Sequence, residues 1–140
     1  MILSDSGFWF ALINQKDKHH ATATSYMQCS TESLITTWPI ITETCHLLGR
    51  SMGIRSQLLF LNMLQSELIS IFPITEAHID RLARLMLKYA DLPMDLADSS
   101  LVILAEELGH GRILSTDRRD FRTYCWKNHQ PFENLLLPDD

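Results

Sequence analysis

Residues 95–121 are DLADSSLVILAEELGHGRILSTDRRDF, a helix pattern followed directly by a strand pattern. Apolar residues recur at helical spacing in the first half, and Gly109 and Gly111 end the predicted helix. Residues 112–115 are predicted to form a short strand, and Asp117 follows it within two residues. A helix that leads into a strand ending near an acid is typical of a parallel α/β sheet.

The rest of the chain repeats this alternation. The predicted strands are residues 1–4, 34–37, 68–72 and 112–115, with residues 122–126 as a final edge strand. The predicted helices are residues 8–13, 21–29, 39–48, 54–65, 75–90 and 97–108. Strands that alternate with helices indicate a three-layer α/β/α sandwich with a mostly parallel central sheet.

Composition and charge limit the class of protein. The chain has 140 residues, 46% of them hydrophobic, so we expect one globular domain over residues 1–137 and a tail at 138–140. A net charge of −5 argues against a protein that coats nucleic acid, but it is compatible with an enzyme that gathers carboxylates at one site. Three separated cysteines favour reduced thiols, and no signal peptide or membrane span is apparent. We therefore expect a cytoplasmic protein with no membrane partner.

Several acids fall where a parallel sheet places its ligand site. Asp5 and Asp117 follow strands, Asp98 lies in the first turn of its helix, and Glu43 lies on the polar side of another helix. Two carboxylates 4 Å apart repel by about 4 kcal/mol at an effective dielectric constant of ~20. Converging acids therefore either hold protons or bind a divalent cation, and all-oxygen ligands suit Mg²⁺ or Mn²⁺. Asp120 is a weaker fifth candidate.

Each acid also has a structural explanation. Asp5 is suited to cap the helix that follows it, and Asp98 is suited to the third position of a cap led by Asp95. Glu43 is compatible with a solvated helix face, and Asp117 with a turn. Their common placement favours a metal site over four separate structural roles.

Four motifs resemble those of the PIN-domain ribonucleases, in the same order along the chain. They are ILSDSG at residues 2–7, TETCHLL at 42–48, LADSSL at 96–101 and LSTDRRDF at 114–121. The resemblance implies an α/β/α sandwich and cleavage of RNA that depends on Mg²⁺ or Mn²⁺. It also implies that the catalytic and metal-binding residues are Asp5, Glu43, Asp98 and Asp117.

The resemblance also implies partners. Many members of this size resemble the toxin of bacterial VapC-type toxin–antitoxin pairs, often homodimers that a small antitoxin protein holds inactive. Arg118 and Arg119 are candidates for binding RNA phosphates, although arginines at a sheet edge are also common without such a role. Residues 54–65 are apolar on more than one side. This helix is therefore either buried on two sides within the chain or covered by a partner chain.

Three functions are compatible with these observations. The leading hypothesis is an endoribonuclease in which carboxylates position divalent ions and water attacks the phosphodiester. The second is a catalytically silent PIN-like module that binds RNA or a protein. The third is a doubly wound phosphotransfer or phosphatase domain with Asp5 as nucleophile. It predicts a second acid at the position that Gly7 occupies and an active-site lysine after the last strand, where none is apparent.

Overall fold

The computed structural model describes residues 1–138 and contains a five-stranded sheet in the order β3–β2–β1–β4–β7. All neighbouring strands of this sheet run parallel. In chain order the strands are β1 (Ile2–Ser4), β2 (Leu34–Thr37), β3 (Ile69–Phe72), β4 (Arg112–Leu114), β5 (Cys125–Trp126), β6 (Gln130–Pro131) and β7 (Glu133–Asn134). Strands β5 and β6 form a separate antiparallel pair.

Helices connect the strands and flank the sheet. They are α1 (Ser6–Ile13), α2 (His20–Cys29), α3 (Trp38–Met52), α4 (Ile54–Met63), α5 (Ile79–Lys88), α6 (Leu96–Leu108) and α7 (Arg118–Thr123), with a 3₁₀ turn at Glu76–His78 before α5. The predicted α/β sandwich with a parallel sheet is confirmed. No helix among residues 1–138 is both long and apolar enough to cross a membrane.

Helix α6 forms the centre of the core. Eight of its thirteen residues are buried, and it contacts β1, β2, α3 and α5. Asp95 caps its first turn, and Gly109 ends it in the left-handed region with φ 77°. Because one rigid helix lies against both the sheet and its neighbouring helices, it fixes the position of its own first turn, where Asp98 lies.

The predicted edge strand at residues 122–126 is wrong. Asp117 caps the helix α7 by accepting a hydrogen bond from the backbone N–H of Asp120, at 3.0 Å, and the helix continues to Thr123. Phe121 and Tyr124, three residues apart, are then both buried, as helical spacing requires. Only Cys125–Trp126 are extended, and they pair with β6; β7 provides the edge of the main sheet.

The apolar helix α4 is buried on one side only. Ser56 and Phe60 lie in the core, whereas four large apolar side chains are exposed: Ile54, Leu58, Leu59 and Leu61. The interpretation of this helix as buried on two sides is therefore wrong within the described chain. Residues 139–140 of the predicted tail at 138–140 lie outside the described residues.

Candidate active site

The carboxyl end of the sheet carries the predicted acids. Asp5 directly follows β1, and Asp117 lies three residues after the end of β4. Thr37 ends β2 and caps α3, the helix that carries Glu43. These elements converge because parallel strands all end at the same edge and helices begin there.

Asp5 is the most deeply buried of these acids, with 5% of its surface exposed. Its Oδ1 accepts a hydrogen bond from the backbone N–H of Ser6 at 2.7 Å, and its Oδ2 accepts one from Ser115 Oγ at 2.9 Å. Burial raises its pKa to about 7; the hydrogen bonds from Ser115 and Ser6 partly offset this, and the charges of Glu43 and Asp117 add to it. The ionised form of Asp5 is therefore disfavoured in this site in the absence of a cation.

Ser6 connects Asp5 to Glu43. The hydroxyl of Ser6 donates to Glu43 Oε1 at 2.9 Å and lies 3.4 Å from Asp5 Oδ1. Burial raises the pKa of Glu43, the hydrogen bond from Ser6 lowers it, and the nearby Asp95 raises it again. The first two predicted acids thus share one hydroxyl group.

Asp98 lies close enough to interact with both of these acids. Burial raises its pKa to about 8, and the charges of Asp5, Asp95 and Glu43 contribute in the same direction. The hydroxyl of Tyr124 donates to Asp98 Oδ2 at 3.1 Å and lowers the pKa in part. A buried phenol from the segment after α7 therefore holds the third predicted acid.

Asp117 joins the cluster through Ser115. Its backbone N–H donates to Ser115 Oγ at 3.0 Å, and the same hydroxyl donates to Asp5. Asp120 lies beside it, and burial together with the interaction with Asp117 raises the pKa of Asp120 to about 6. The four predicted acids and Asp120 are thus linked by shared hydroxyl groups or by mutual charge effects.

Sequence reasoning missed four residues of this cluster: Ser6, Asp95, Ser115 and Tyr124. Asp95 was assigned only a capping role, which it does fill, since its Oδ1 accepts from the backbone N–H of Asp98 at 2.8 Å. Ser6 and Ser115 lie inside the motifs that carry Asp5 and Asp117, so a hydroxyl beside each acid was a usable signal. Tyr124 had no such signal, because the predicted strand placed it in extended structure.

The two predicted phosphate-binding arginines lie at the surface. Both side chains are exposed. Arg118 donates to the backbone oxygen of Pro138 at 3.5 Å, and Arg119 forms a pair with Asp120 at 3.8 Å. They begin the helix α7 beside Asp117, so they flank the acid cluster, and Arg119 contacts it through Asp120.

The donor set can be tested for its fit to a metal ion. All candidate ligands are carboxylates, which suit a hard cation, and the raised pKa values of Asp5 and Asp98 show that their ionised forms are disfavoured here unless a positive charge is close. Within residues 1–138, however, no three His, Cys, Asp or Glu side chains form a group arranged to hold a metal ion. The chemistry of the residues fits Mg²⁺ or Mn²⁺, but a finished coordination sphere is not present in the described chain.

Known proteins resemble this chain in sequence and in fold. The model of the PIN domain family matches residues 2–127. Ribonuclease VapC26 of Mycobacterium tuberculosis is 25% identical over 120 residues, which are 86% of this chain and 89% of that protein. The crystal structure of VapC20 of the same organism, described as a Sarcin-Ricin loop cleaving toxin, superimposes with a TM-score of 0.79 at 19% identity. That superposition covers 85% of this chain and 92% of VapC20, and it establishes the shared fold.

Proposed function

This chain belongs to the PIN-domain family, and we propose that it is a metal-dependent endoribonuclease, the toxin of a bacterial toxin–antitoxin pair. The observation that carries the proposal is the electrostatic state of the acid cluster. The acids converge around shared hydroxyl groups, and burial with mutual repulsion raises the pKa of Asp5 to about 7 and that of Asp98 to about 8, so a bound cation would favour their ionised forms.

The residues of the cluster have separate tasks in this proposal. Asp5, Glu43, Asp98 and Asp117 hold the cation, Mg²⁺ or Mn²⁺. When bound, such a cation supplies Lewis acidity that activates water and offsets the charge of the phosphate. The Ser6 hydroxyl keeps Glu43 oriented toward Asp5. Fixed carboxylates lower the reorganisation that the reaction requires.

Two features support RNA as the substrate. VapC26 is named a ribonuclease and VapC20 a toxin that cleaves the Sarcin-Ricin loop, and both align over most of this chain. Arg118 and Arg119 are exposed beside the acids, where their guanidinium groups are available to RNA phosphates.

The proposed assembly is a homodimer that binds a small antitoxin protein. Helix α4 exposes four large apolar side chains, and three of them, Ile54, Leu58 and Leu61, recur at helical spacing on one face. A partner that covers this face would remove apolar surface from water. The three free cysteines are compatible with a reducing compartment, so we place the protein in the cytoplasm.

One observation favours a second function. Because the described residues contain no finished three-ligand metal group, a catalytically silent PIN-like module that binds RNA or a protein is the alternative. In such a module the acids would serve as helix caps, a role that Asp5, Asp95 and Asp117 do fill. Only a cleavage assay separates the two functions.

The assay compares the purified full chain with Asp5→Asn and Asp98→Asn on mixed RNA, in Mg²⁺, in Mn²⁺ and in EDTA. Asp91→Asn is the matched control, because Asp91 is an exposed acid in the turn after α5. We expect the parent and the control to cut RNA only with metal, and both site variants to lose at least 100-fold in rate. Cleavage in EDTA, or parental rates in both site variants, would refute the metal-nuclease proposal.

The toxin role has its own test in bacteria. Expression of the parent is expected to arrest growth, and Asp98→Asn is expected to relieve the arrest at equal protein level. Growth arrest by both chains would show that toxicity does not depend on the acid cluster. Cleavage of RNA by the purified chain without growth arrest would support the nuclease activity and refute the toxin role.

A further inference from the structure

An exposed indole ring stands beside the acid cluster and has no role in the proposed metal site. Trp38 is the first residue of α3 and is 56% exposed, whereas Trp9 is fully buried. A large flat apolar side chain that remains in water forgoes the stabilisation that burial would give it. Exposure alone is common for an apolar side chain, so a ligand is indicated here only by the surroundings of this ring.

The backbone at Trp38 is held firmly. Thr37, the residue before it, is fully buried and caps α3 by accepting a hydrogen bond from the backbone N–H of Ile40. The hydroxyl of Thr37 also lies 2.6 Å from that of Ser100, on the central helix α6. Pro39 follows and fixes its own backbone angle at the helix start. The indole ring therefore projects from a rigid base.

The ring forms one wall of a groove that we call the Trp38 groove. Its apolar walls are Trp38, Pro39, Ile74, Leu96 and Ala97, from the starts of α3 and α6 and the segment after β3. Its volume is about 710 Å³, within the range of about 300–1,000 Å³ that is typical of small-ligand sites. The groove is thus large enough for one or two nucleotides.

The groove is continuous with the acid cluster. Glu43 and Asp95, which interact with each other and with Asp98, also line the groove. A ligand that fills the groove therefore places its neighbouring group beside the predicted metal ligands. His46, one turn after Glu43 on α3, lines the same groove and is exposed.

We propose that the Trp38 groove binds one unstacked nucleobase of single-stranded RNA, next to the phosphodiester that is cut, with the base stacked on the indole ring of Trp38. This inference rests on the proposed ribonuclease function, because it takes RNA as the ligand. Proteins that bind single-stranded RNA stack splayed bases on aromatic side chains. Stacking tolerates different bases because every base has a π-face, so Trp38 contributes affinity and position more than sequence choice.

A nucleobase fits the groove better than a protein segment does. The apolar walls of the groove suit the faces of a planar base. The acids at one end of the groove suit a sugar–phosphate only when a cation is bound between the carboxylates and the phosphate. The exposed apolar face of α4 is made of other residues, and it is the face assigned above to protein partners.

The first experiment measures binding without cleavage. All chains keep Asp5, and the probe is a mixed-sequence hexaribonucleotide in Ca²⁺, an ion that takes carboxylate ligands and replaces Mg²⁺ in this binding assay. We expect Trp38→Ala to bind it at least fivefold more weakly, Trp38→Phe to bind it within about twofold of the parent, and indole fluorescence to be quenched in the parent. Leu87→Ala is the control, because Leu87 is an apolar residue on α5 that is 79% exposed and outside the groove.

A second probe separates base stacking from phosphate binding. A hexamer with the same phosphates but no bases is expected to bind the parent and Trp38→Ala equally. If Trp38→Ala binds the normal hexamer as the parent does, or loses affinity for the abasic hexamer to the same extent, the inference is wrong. If RNA binding is unchanged and Trp38→Ala instead shifts the sedimentation of the chain from dimer to monomer, the groove is a protein interface.

Cleavage assays on the same chains in Mg²⁺ then separate this inference from the proposed function. Metal-dependent cleavage with the same KM in the parent and Trp38→Ala would overturn the inference and leave the nuclease. Binding that depends on Trp38, together with no cleavage by any chain, would overturn the nuclease and leave an RNA-binding module. A raised KM in Trp38→Ala, with Trp38→Phe near the parent, supports both.

Discussion

Replacing Asp5 with Asn should make the metal-free protein more stable at pH 8. In the unfolded chain the carboxyl has its ordinary pKa of 3.8, and burial in the folded chain raises this to about 7. Between these values the unfolded state releases the proton while the folded state retains it, so the free energy of unfolding falls as pH rises through this window. A shift of about 3 units corresponds to about 4 kcal/mol at 1.36 kcal/mol per unit. Asparagine cannot ionise and escapes this loss.

The assay is thermal unfolding of the parent, Asp5→Asn and Asp91→Asn at pH 5 and pH 8 in EDTA. At roughly 3 °C per kcal/mol for a chain of this size, we expect Asp5→Asn to melt about 6–12 °C above the parent at pH 8. At pH 5 the gain should shrink to less than half, and the exposed control should show no difference between the two pH values. An equal or smaller gain at pH 8 than at pH 5 would refute the reasoning, because the Asp5 charge would then be neutralised by the protein itself.

The addition of a divalent ion independently tests the cost of ionising Asp5. A ligand that binds only the folded state raises the free energy of unfolding by RT ln(1 + [L]/Kd). Adding Mg²⁺ or Mn²⁺ at pH 8 should therefore raise the melting temperature of the parent and leave that of Asp5→Asn nearly unchanged. Equal stabilisation of both chains would place the ion elsewhere.

Three further substitutions test the supports of the cluster. Gly7→Ala should lower the free energy of unfolding by about 1–3 kcal/mol, because its methyl group would overlap Thr116 Oγ1, and Thr116→Ala in the same chain should restore it in a denaturant titration. Tyr124→Phe removes a hydrogen bond that lowers the pKa of Asp98, so the pH–rate profile should move up by as much as about one unit; an unmoved profile would contradict this. Ser115→Ala removes both hydrogen bonds of that hydroxyl, so the free energy of unfolding should fall by about 1–3 kcal/mol in thermal unfolding and cleavage should fall strongly. Full activity would show that the hydroxyl does not position the acids.

The alternation of strands and helices was predictable because it depends on local patterns. Thr37 and Pro39 set the start of α3, and Gly109 sets the end of α6, each through its own backbone preference. The region after Asp117 was not predictable in this way. Residues 122–126 have strand propensity, but the capping of α7, the burial of Phe121 and the packing of Tyr124 on the distant ring of Tyr89 override it.

The site was predictable where acids follow strands, and less so where side chains from distant segments meet. The positions of Asp5 and Asp117 follow from the rule that parallel strands end at one edge. The contact between Tyr124 and Asp98 depends on how α7 packs against the chain, and no local pattern encodes it. The exposed face of α4 was likewise undecided, because an apolar helix has the same sequence whether its second face meets the core or a partner.

The structural and functional explanations of the acids are compatible. In a parallel sheet the strand ends and the helix starts lie together, so an acid there meets free backbone N–H groups of the first helical turn. Asp5, Asp95 and Asp117 each use one oxygen in this way, at 2.7, 2.8 and 3.0 Å. At Asp5 the hydrogen bond from Ser6 favours the ionised carboxylate, yet burial outweighs it and raises the pKa to about 7. Capping therefore fixes the acids in place without making the ionised form of Asp5 favourable, and a bound cation would supply that stabilisation.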